Sequence, residues 1–279
     1  MPVRIIESKQ NARLKELRKA LAHPGRNERG LVGIEGPNLV EEAMRAGLRI
    51  ESIFIGSGHG ISQPEAGTAA ADIDILFVPA DYLKSILSTE TPQPFAALVE
   101  PPDWAWAHLF GGGKRSAPLV VVLAGIQDPG NLGTIIRSAE AFGANGVLCL
   151  PGTVSSWNPK AVRASAGSVF RVPVLNVGEE EALTELRDGG VRLVSTTAQG
   201  AQPADNVDLS GPVALVIGNE GNGVPAGLAA RTDGAVTIPC PGPVESLNAA
   251  VAASVLLYEA ARQRASKSGG PQELRGGKR

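Results

Sequence analysis

Short, uninterrupted apolar runs recur through the second half of the chain and constrain its fold more than any other feature. The runs are LVVVLAG (119–125), GVLCLP (146–151), VPVLNV (172–177), VRLVSTT (191–197), VALVIG (213–218) and AVTIP (235–239). Apolar runs without alternation are typical of strands that are buried on both faces. Because helical stretches separate most of them, residues 118–265 are predicted to form an α/β domain around a mainly parallel sheet.

The first hundred residues predict a second, smaller α/β domain. Residues 8–22 carry Leu14, Leu17 and Leu21 at helical spacing, and lysines and arginines cover the opposite face. A second helix is predicted at 37–47, and strands are predicted at 31–36, 51–55, 74–78 and 95–99. We therefore assign residues 1–105 to this domain, which has a common domain size.

The stretch between the two domains has the composition of a linker. PPDWAWAHLFGGGKRSAP (101–118) contains a proline pair and a glycine triplet, so residues 106–117 are predicted to join the domains. Its GGGKRS segment departs from a phosphate-binding loop, because Arg115 separates Lys114 from Ser116 and no strand precedes the glycines. Residues 266–279 are predicted to be a disordered basic tail.

Positive charge is concentrated at the two ends of the chain. Residues 1–30 hold 8 Lys and Arg against 3 Asp and Glu, and residues 261–279 hold 6 against 1. Basic ends indicate contact with a polyanion, although solubilising termini have the same composition. No apolar run reaches the roughly 18 residues of a membrane span, and no apolar signal region is visible, so we expect a cytoplasmic protein. The cysteines and histidines lack zinc-ligand spacing, so no metal is expected.

Three loops that follow predicted strands carry the polar residues of interest, and ligands of open parallel sheets bind beyond the carboxyl ends of the strands. The loops are IQDPGNLGTIIRSAEAFG (126–143), VIGNEGNGVP (216–225) and IPCPGPVESLNAAVAASVLLYEAARQR (238–264). The first predicts a helix that is capped by Asn131 and carries Arg137 opposite its apolar stripe. The second is a glycine-rich turn with one carboxylate. The third predicts a long helix that is opened by Ser246 and is apolar almost all round.

Together these loops resemble the SpoU/TrmH family of RNA ribose methyltransferases, within the SPOUT superfamily. DPGNLGTIIRSAEAFG, IGNEGNGV and IP…ESLNAAVA are each similar to one family motif, and NPKAVRASAGSVFRVPV (158–174) is similar to the segment between the first two. KQNARLKELRKAL, GLVGIEGPNLVEEAMRAG and FAALVE resemble the small ribosomal-protein-like substrate-binding domain of many members. The resemblance implies a catalytic domain with a trefoil knot, a small α/β RNA-binding domain before it, and a homodimer.

The resemblance also implies S-adenosylmethionine as the donor of a methyl group to a ribose 2′-oxygen. Arg137 would activate that oxygen or clamp the adjacent phosphate, and we expect the electrostatic role because a guanidinium stays protonated. The other catalytic residues would be Asn131, Glu220, Ser246 and Asn248. The cofactor would contact Ser195, Thr196, Gly218, Asn219, Gly221, Ile238, Ser246 and Leu247, and RNA would contact Arg13, Lys15, Lys160 and Arg163.

Other functions fit the sequence less well. A nicotinamide-dependent dehydrogenase needs G-x-G-x-x-G early in a βαβ unit and an acidic residue about 20 positions on, and neither is present. Intact Arg137, Asn131, Glu220 and Asn248 favour an enzyme over a non-catalytic RNA-binding protein. The pairs Asn131/Arg137 and Ser246/Asn248 favour ribose over base methylation. We expect ribosomal rather than transfer RNA, because the N-terminal domain resembles a ribosomal-protein-like RNA binder.

Overall fold

The computed structural model describes residues 3–57, 73–89, 91–110, 117–198, 200–244 and 246–267. The chain divides into two compact units. Unit 1 contains Met1–Asp103 and Ser155–Arg171, and unit 2 contains Trp104–Val154 and Val172–Arg279. In chain order the elements are β1 (Val3–Ile5), α1 (Ala12–Ala22), β2 (Val32–Glu35), α2 (Pro37–Arg45), β3 (Ile50–Gly56), β4 (Asp74–Val78), α3 (Ala80–Lys84), β5 (Phe95–Val99), α4 (Trp106–Phe110), β6 (Leu119–Ala124), α5 (Pro129–Ala141), β7 (Gly146–Cys149), α6 (Pro159–Ala164), β8 (Val174–Asn176), α7 (Glu179–Asp188), β9 (Arg192–Thr196), β10 (Gln202–Pro203), β11 (Val213–Gly218), α8 (Ala226–Ala229), β12 (Gly234–Thr237) and α9 (Ala249–Lys267).

Unit 1 is built on a mixed five-stranded sheet with the order β1-β4-β3-β5-β2. β1, β4 and β3 run parallel, whereas β5 runs antiparallel to both of its neighbours. The apolar stripe of α1 is buried in the core of the unit, where Leu14, Leu17 and Leu21 join Phe54 and Leu98. The amphipathic pattern at 8–22 therefore positions this helix as predicted, although α1 begins only at Ala12.

Unit 2 is built on a seven-stranded sheet with the order β10-β12-β9-β11-β6-β7-β8, in which every pairing is parallel. The prediction of a mainly parallel α/β domain is confirmed. Every residue of β6 and β11 is buried, as their uninterrupted apolar runs require. β7 and β8 lie on one side of β6, and β11, β9 and β12 lie on the other. The strand order thus reverses between β6 and β11, and open parallel sheets bind ligands beyond the carboxyl ends of the strands at such a position.

Residues 106–110, which the sequence assigns to a linker, form α4 within unit 2. Leu109 is fully buried in the core of that unit. Trp106 stacks on Phe110 with ring centroids 6.0 Å apart, and its indole donates to Glu181 Oε1 at 2.9 Å. Burial of the apolar side chains of WAWAHLF therefore stabilises a helix here, although prolines precede the segment and glycines follow it. The GGGKRS segment (111–116) and residues 268–279 of the predicted tail lie outside the described residues.

Among the described elements the longest helix is α9, with 19 residues. Its C-terminal part is hydrogen-bonded to the amino edge of the unit 2 sheet. The guanidinium of Arg264 donates to the carbonyl oxygens of Leu209 at 3.3 Å, Pro118 at 3.2 Å and Gly211 at 2.6 Å, and also to that of Ala117. Burial lowers the pKa of Arg264. Across the described ranges, no helix combines the length and apolar character needed to cross a lipid bilayer.

Replacing Arg264 is expected to destabilise unit 2. Arg264→Ala removes a charged donor from four carbonyl groups, and we expect the free energy of unfolding to fall by about 1–3 kcal/mol. Urea denaturation measures this change. The matched control is Arg262→Ala, whose exposed guanidinium binds Glu259 on the surface, and we expect it to cost less than about 0.5 kcal/mol. Equal losses in the two variants would contradict the role given to Arg264.

Candidate active site

A chain of side-chain hydrogen bonds joins the three polar loops at the carboxyl edge of the unit 2 sheet. The Asn131 amide nitrogen donates to the carboxylate of Glu220, and the Asn131 carbonyl oxygen accepts from Asn248 Nδ2 at 3.1 Å. Asn131 lies in α5, Glu220 lies in the turn after β11, and Asn248 directly precedes α9. Three of the predicted catalytic residues, far apart in the sequence, are therefore brought into one polar cluster.

The helix α5 begins at Pro129, with Asp128 as its N-cap, and the prediction that Asn131 caps it was wrong. The carboxylate of Asp128 accepts from the backbone N–H of Asn131 at 3.0 Å. Proline suits the first helical position because it lacks an N–H and its φ is already helical. The Asn131 side chain thereby lies in the first turn and makes the contacts between loops. The Asp-Pro pair is the sequence signal that indicates this start.

The helix α9 begins at Ala249, and the prediction that Ser246 opens it was also wrong. Asn248 Oδ1 accepts from the backbone N–H groups of Ala250 at 2.9 Å and Val251 at 3.3 Å, which is the N-cap pattern. Ser246 is exposed two residues before this cap. The Asn248 amide therefore has two roles, because its oxygen caps α9 while its nitrogen binds Asn131.

The glycine-rich turn after β11 folds back on itself. Asn219 Oδ1 accepts from the backbone N–H groups of Gly221 at 3.1 Å and Asn222 at 2.7 Å, and the Asn219 carbonyl accepts from Gly223 at 2.9 Å. A Cβ added at Gly218 would lie 1.9 Å from the carbonyl carbon of Gly223. The backbone of the loop itself therefore requires glycine at 218. At Gly221 the nearest atom would be 3.8 Å away, so the loop leaves space there.

Arg137 is exposed on α5, six residues after Asn131 and about 9 Å further along the helix axis. Among the residues that the structure describes, its guanidinium makes no hydrogen bond or ion pair. Asn131, which is predicted to orient Arg137, contacts Glu220 and Asn248. Arg137 thus presents up to five N–H donors to an external acceptor.

Three of the residues predicted to contact a cofactor, Ser195, Thr196 and Gly218, lie at the ends of the adjacent strands β9 and β11. The strand registers pair Thr196 with Val236 and Ser195 with Val216. The buried Ser195 hydroxyl donates to the Gly234 carbonyl at 3.3 Å, and the Thr196 hydroxyl donates to the Val216 carbonyl at 3.0 Å. Both hydroxyls therefore tie neighbouring strands together at the edge where the loops begin.

The loop that follows β12 contributes aliphatic surface to the same edge. Ile238 and Leu247 are half-buried, at the two ends of this loop. Between them the structure describes Pro239 to Val244 and Ser246, whereas Glu245 lies outside the described residues. Ligand sites combine apolar surface of this kind with a few polar groups that fix orientation.

Arg13, one of the residues predicted to contact RNA, is held by carboxylates within unit 1. Its guanidinium lies 2.6 Å from Glu51 Oε1, 3.1 Å from Asp74 Oδ2 and 3.3 Å from Glu16 Oε2. Although burial acts in the opposite direction, the bonds to Glu51 and Asp74 raise the pKa of Arg13. Lys15, two residues further along α1, is exposed.

Arg163, the second arginine predicted to contact RNA, binds a buried carboxylate of unit 1. Its Nη1 donates to Glu35 Oε1 at 2.6 Å and to Ser88 Oγ at 2.8 Å. Arg163 also lines a cavity of about 550 Å³ beside the first turn of α2. Lys160 is exposed at the start of α6. Glu35 was not predicted as a partner of Arg163, and the signal for it in the sequence is a carboxylate within the apolar strand LVGIEG.

The charge of the polar cluster can be tested at Asn131. Asn131→Ala removes two hydrogen bonds, and we expect it to lower the free energy of unfolding by about 1 kcal/mol. Asn131→Asp keeps the shape but places a second carboxylate against Glu220, so it should cost more than alanine at neutral pH. The additional loss should disappear below about pH 4, where carboxyl groups take up protons.

The matched control for this charge effect is Asn222→Asp, an exposed position in the same glycine-rich turn. Urea denaturation of the three variants at several pH values provides the comparison. If Asn131→Asp were as stable as Asn131→Ala at neutral pH, the contact between Asn131 and Glu220 would be ruled out.

Two segments of the chain match two different protein families. Residues 118–258 match the SpoU rRNA Methylase family, and residues 11–97 match the MRM3-like substrate binding domain. The chain is 35% identical over 254 residues to the 23S rRNA (guanosine(2553)-2'-O)-methyltransferase RlmP of Bacillus subtilis (strain 168). The aligned region covers 91% of this chain and 97% of that protein.

Solved structures with related folds cover nearly the whole chain. The AdoMet-bound rRNA methyltransferase from Sinorhizobium meliloti is 31% identical, covers 93% of this chain and 98% of its own, and gives a TM-score of 0.81. The SpoU methyltransferase AviRb from Streptomyces viridochromogenes, in complex with the cofactor AdoMet, is 29% identical and gives a TM-score of 0.76, with 92% and 99% covered.

Proposed function

This chain belongs to the SpoU rRNA methylase family, and we propose that it methylates a ribose 2′-hydroxyl of large-subunit ribosomal RNA. Its activity is that of an S-adenosylmethionine-dependent RNA 2′-O-ribose methyltransferase. The observation that carries the proposal is the polar cluster of Glu220, Asn131 and Asn248, because it joins the three motif-bearing loops at one edge of the sheet. The choice of 23S rRNA is supported by the name of the B. subtilis relative.

The carboxyl edge of the unit 2 sheet has groups that fit S-adenosylmethionine. Ile238 and Leu247 offer aliphatic surface to an adenine ring, and the open turn at Gly221 offers backbone donors and acceptors. We propose that these groups hold the donor together with Asn219 and Ser246. When bound, the sulfonium centre of the donor supplies an electrophilic methyl group.

Arg137 is the residue to which we assign the activation of the acceptor oxygen. A free 2′-hydroxyl is a weak nucleophile, and its oxygen gains negative charge as its proton is lost to water, before that oxygen attacks the methyl group and a neutral thioether leaves. A guanidinium stays protonated, so Arg137 stabilises that charge and the adjacent phosphate by hydrogen bonding. Glu220 fixes the Asn131 amide, and Asn131 fixes Asn248, so the loops keep their positions around the reacting groups.

We also propose that the enzyme is a homodimer that associates through α9. Val251, Val255 and Tyr258 are 48%, 38% and 55% exposed, and their spacing aligns them on one face of the helix. A contiguous apolar face of this kind is typical of an interaction surface. We further propose a trefoil knot in unit 2, on the basis of the family fold. We propose a cytoplasmic location on the basis of a ribosomal RNA substrate.

Calorimetric titration with S-adenosylmethionine, followed by methyl transfer to RNA, tests the proposed function. We expect saturable binding near one site per chain, and transfer of labelled methyl to an unmodified 23S rRNA transcript. The labelled linkage should resist alkaline hydrolysis, because a methylated 2′-oxygen cannot attack the neighbouring phosphate. Absence of donor binding by folded protein would overturn the enzymatic assignment. Label that appeared only in a transfer RNA transcript would overturn the proposed substrate.

A further inference from the structure

Three exposed basic residues form one face of α1, which we name the basic face of α1. They are Lys15, Arg18 and Lys19. Residues three and four apart on a helix are neighbours on its surface, so the three charges lie side by side. The opposite side of the helix, with Leu14, Leu17 and Leu21, is buried in the core of unit 1. The orientation of the basic face is therefore fixed by packing.

Several other arginines of unit 1 are neutralised by nearby carboxylates. Arg13 binds three of them, Arg29 lies 3.0 Å from Glu16 and 2.8 Å from Glu51, and Arg49 lies 3.1 Å from Glu100. Glu16 is the only acidic residue of α1, and it is already bound by Arg13 and Arg29.

Within the described part of the chain, no carboxylate lies at ion-pair distance from any residue of the basic face. Like charges at these spacings destabilise a helix, so the basic face carries a cost that ion pairs within unit 1 do not offset. An external anion with closely spaced charges would relieve that repulsion.

We propose that the basic face of α1 binds the sugar–phosphate backbone of the RNA substrate. This inference rests on the proposed function. It assigns RNA contact to the basic face of α1 and not to Arg13, whose N–H donors bind protein carboxylates. The face carries no aromatic or amide side chain, so it contacts phosphate rather than reading bases. A membrane-binding helix would need bulky apolar residues beside its basic ones, whereas the leucines of α1 are buried.

The test compares two full-length variants that lose the same charge. The first changes Lys15, Arg18 and Lys19 to Gln, which preserves helix propensity. The control changes Arg49, Arg187 and Arg192 to Gln, because these exposed arginines already bind Glu100 and the carbonyls of Arg231 and Asp208. Binding of each protein to an unmodified 23S rRNA transcript is measured by filter retention over a range of salt concentrations.

We expect the first variant to lose about 100-fold in RNA affinity at about 0.1 M salt, and the slope of log K against log salt to fall by about two to three. The control should keep the wild-type affinity and slope. Restoring charge with Arg at 15 and 19 and Lys at 18 should restore most of the affinity, since phosphate contact requires charge. Unchanged affinity in the first variant, or an equal loss in the control, would overturn the proposal.

Titration of the same proteins with S-adenosylmethionine separates this proposal from the proposed function. The donor site lies in unit 2, so we expect the first variant to bind the donor as the wild type does. Donor binding with unchanged RNA affinity in the first variant would contradict only the basic face of α1. A wild-type protein that failed to bind the donor would contradict the proposed function itself.

Discussion

Arg137→Ala is expected to lower the rate of RNA methylation by about 10²–10⁴-fold, while the affinity for S-adenosylmethionine changes by less than about 2-fold. The expected loss follows from the proposed role of Arg137, in which its guanidinium stabilises negative charge on the acceptor oxygen. Donor binding should be retained because the residues proposed to hold the donor lie at the ends of β9 and β11 and on the loops after β11 and β12, whereas Arg137 lies on α5. Single-turnover methylation and calorimetric titration measure the two effects separately.

Two further variants distinguish chemistry from helix damage. Arg137→Lys keeps the positive charge but loses the planar fork, so it should recover only part of the lost rate. Thr134→Ala alters an exposed residue one turn earlier on α5, whose hydroxyl donates to the Gly130 carbonyl, and it should leave the rate within about 2-fold. Methylation by Arg137→Ala at the wild-type rate would remove Arg137 from the mechanism.

The parallel sheet of unit 2 could be predicted because its central strands β6, β7 and β11 are buried on both faces. The run VALVIG predicts β11 at the bounds that the structure shows. A buried strand must be apolar at every position, which makes its limits visible in the sequence. The short strands β1 and β10 lack this signal, because three or two residues cannot display a period.

Helix starts were harder to predict because several good caps compete within three residues. Asp128 and Asn131 are both favoured caps, as are Ser246 and Asn248. Pro129 decides the first case, since proline is preferred directly after the cap. In the second case Asn248 also binds Asn131, 117 positions away. Local propensity contains no information on a contact of that range.

The residues of the site could be named from their resemblance to family motifs, but their contacts could not. Asn131 and Glu220 are separated by 89 positions, and only the fold of the sheet brings them together. The same limit applies to Arg13 on α1, whose carboxylate partners Glu51 and Asp74 lie on the strands β3 and β4. Its place in a basic segment indicated RNA contact. Counting charges along the sequence cannot detect an ion pair that forms only through tertiary structure.

Gly218→Ala is expected to be the most disruptive single-methyl substitution in unit 2. The added Cβ would lie 1.9 Å from the carbonyl carbon of Gly223 and 2.1 Å from the nitrogen of Val224, and both atoms belong to the backbone. Backbone cannot yield by a change of rotamer, so the turn after β11 must open. We expect the free energy of unfolding to fall by about 3 kcal/mol or more, and donor binding to be lost.

Gly221→Ala is the matched control, because its Cβ would meet no atom closer than 3.8 Å. We expect it to change the free energy of unfolding by less than about 1 kcal/mol. Urea denaturation and titration with S-adenosylmethionine, applied to both variants, separate two uses of glycine in one turn. Loss of donor binding without loss of stability in Gly221→Ala would indicate close approach of the donor at that position. A Gly218→Ala protein with wild-type stability would contradict the closed turn, and with it the geometry that places Glu220 beside Asn131.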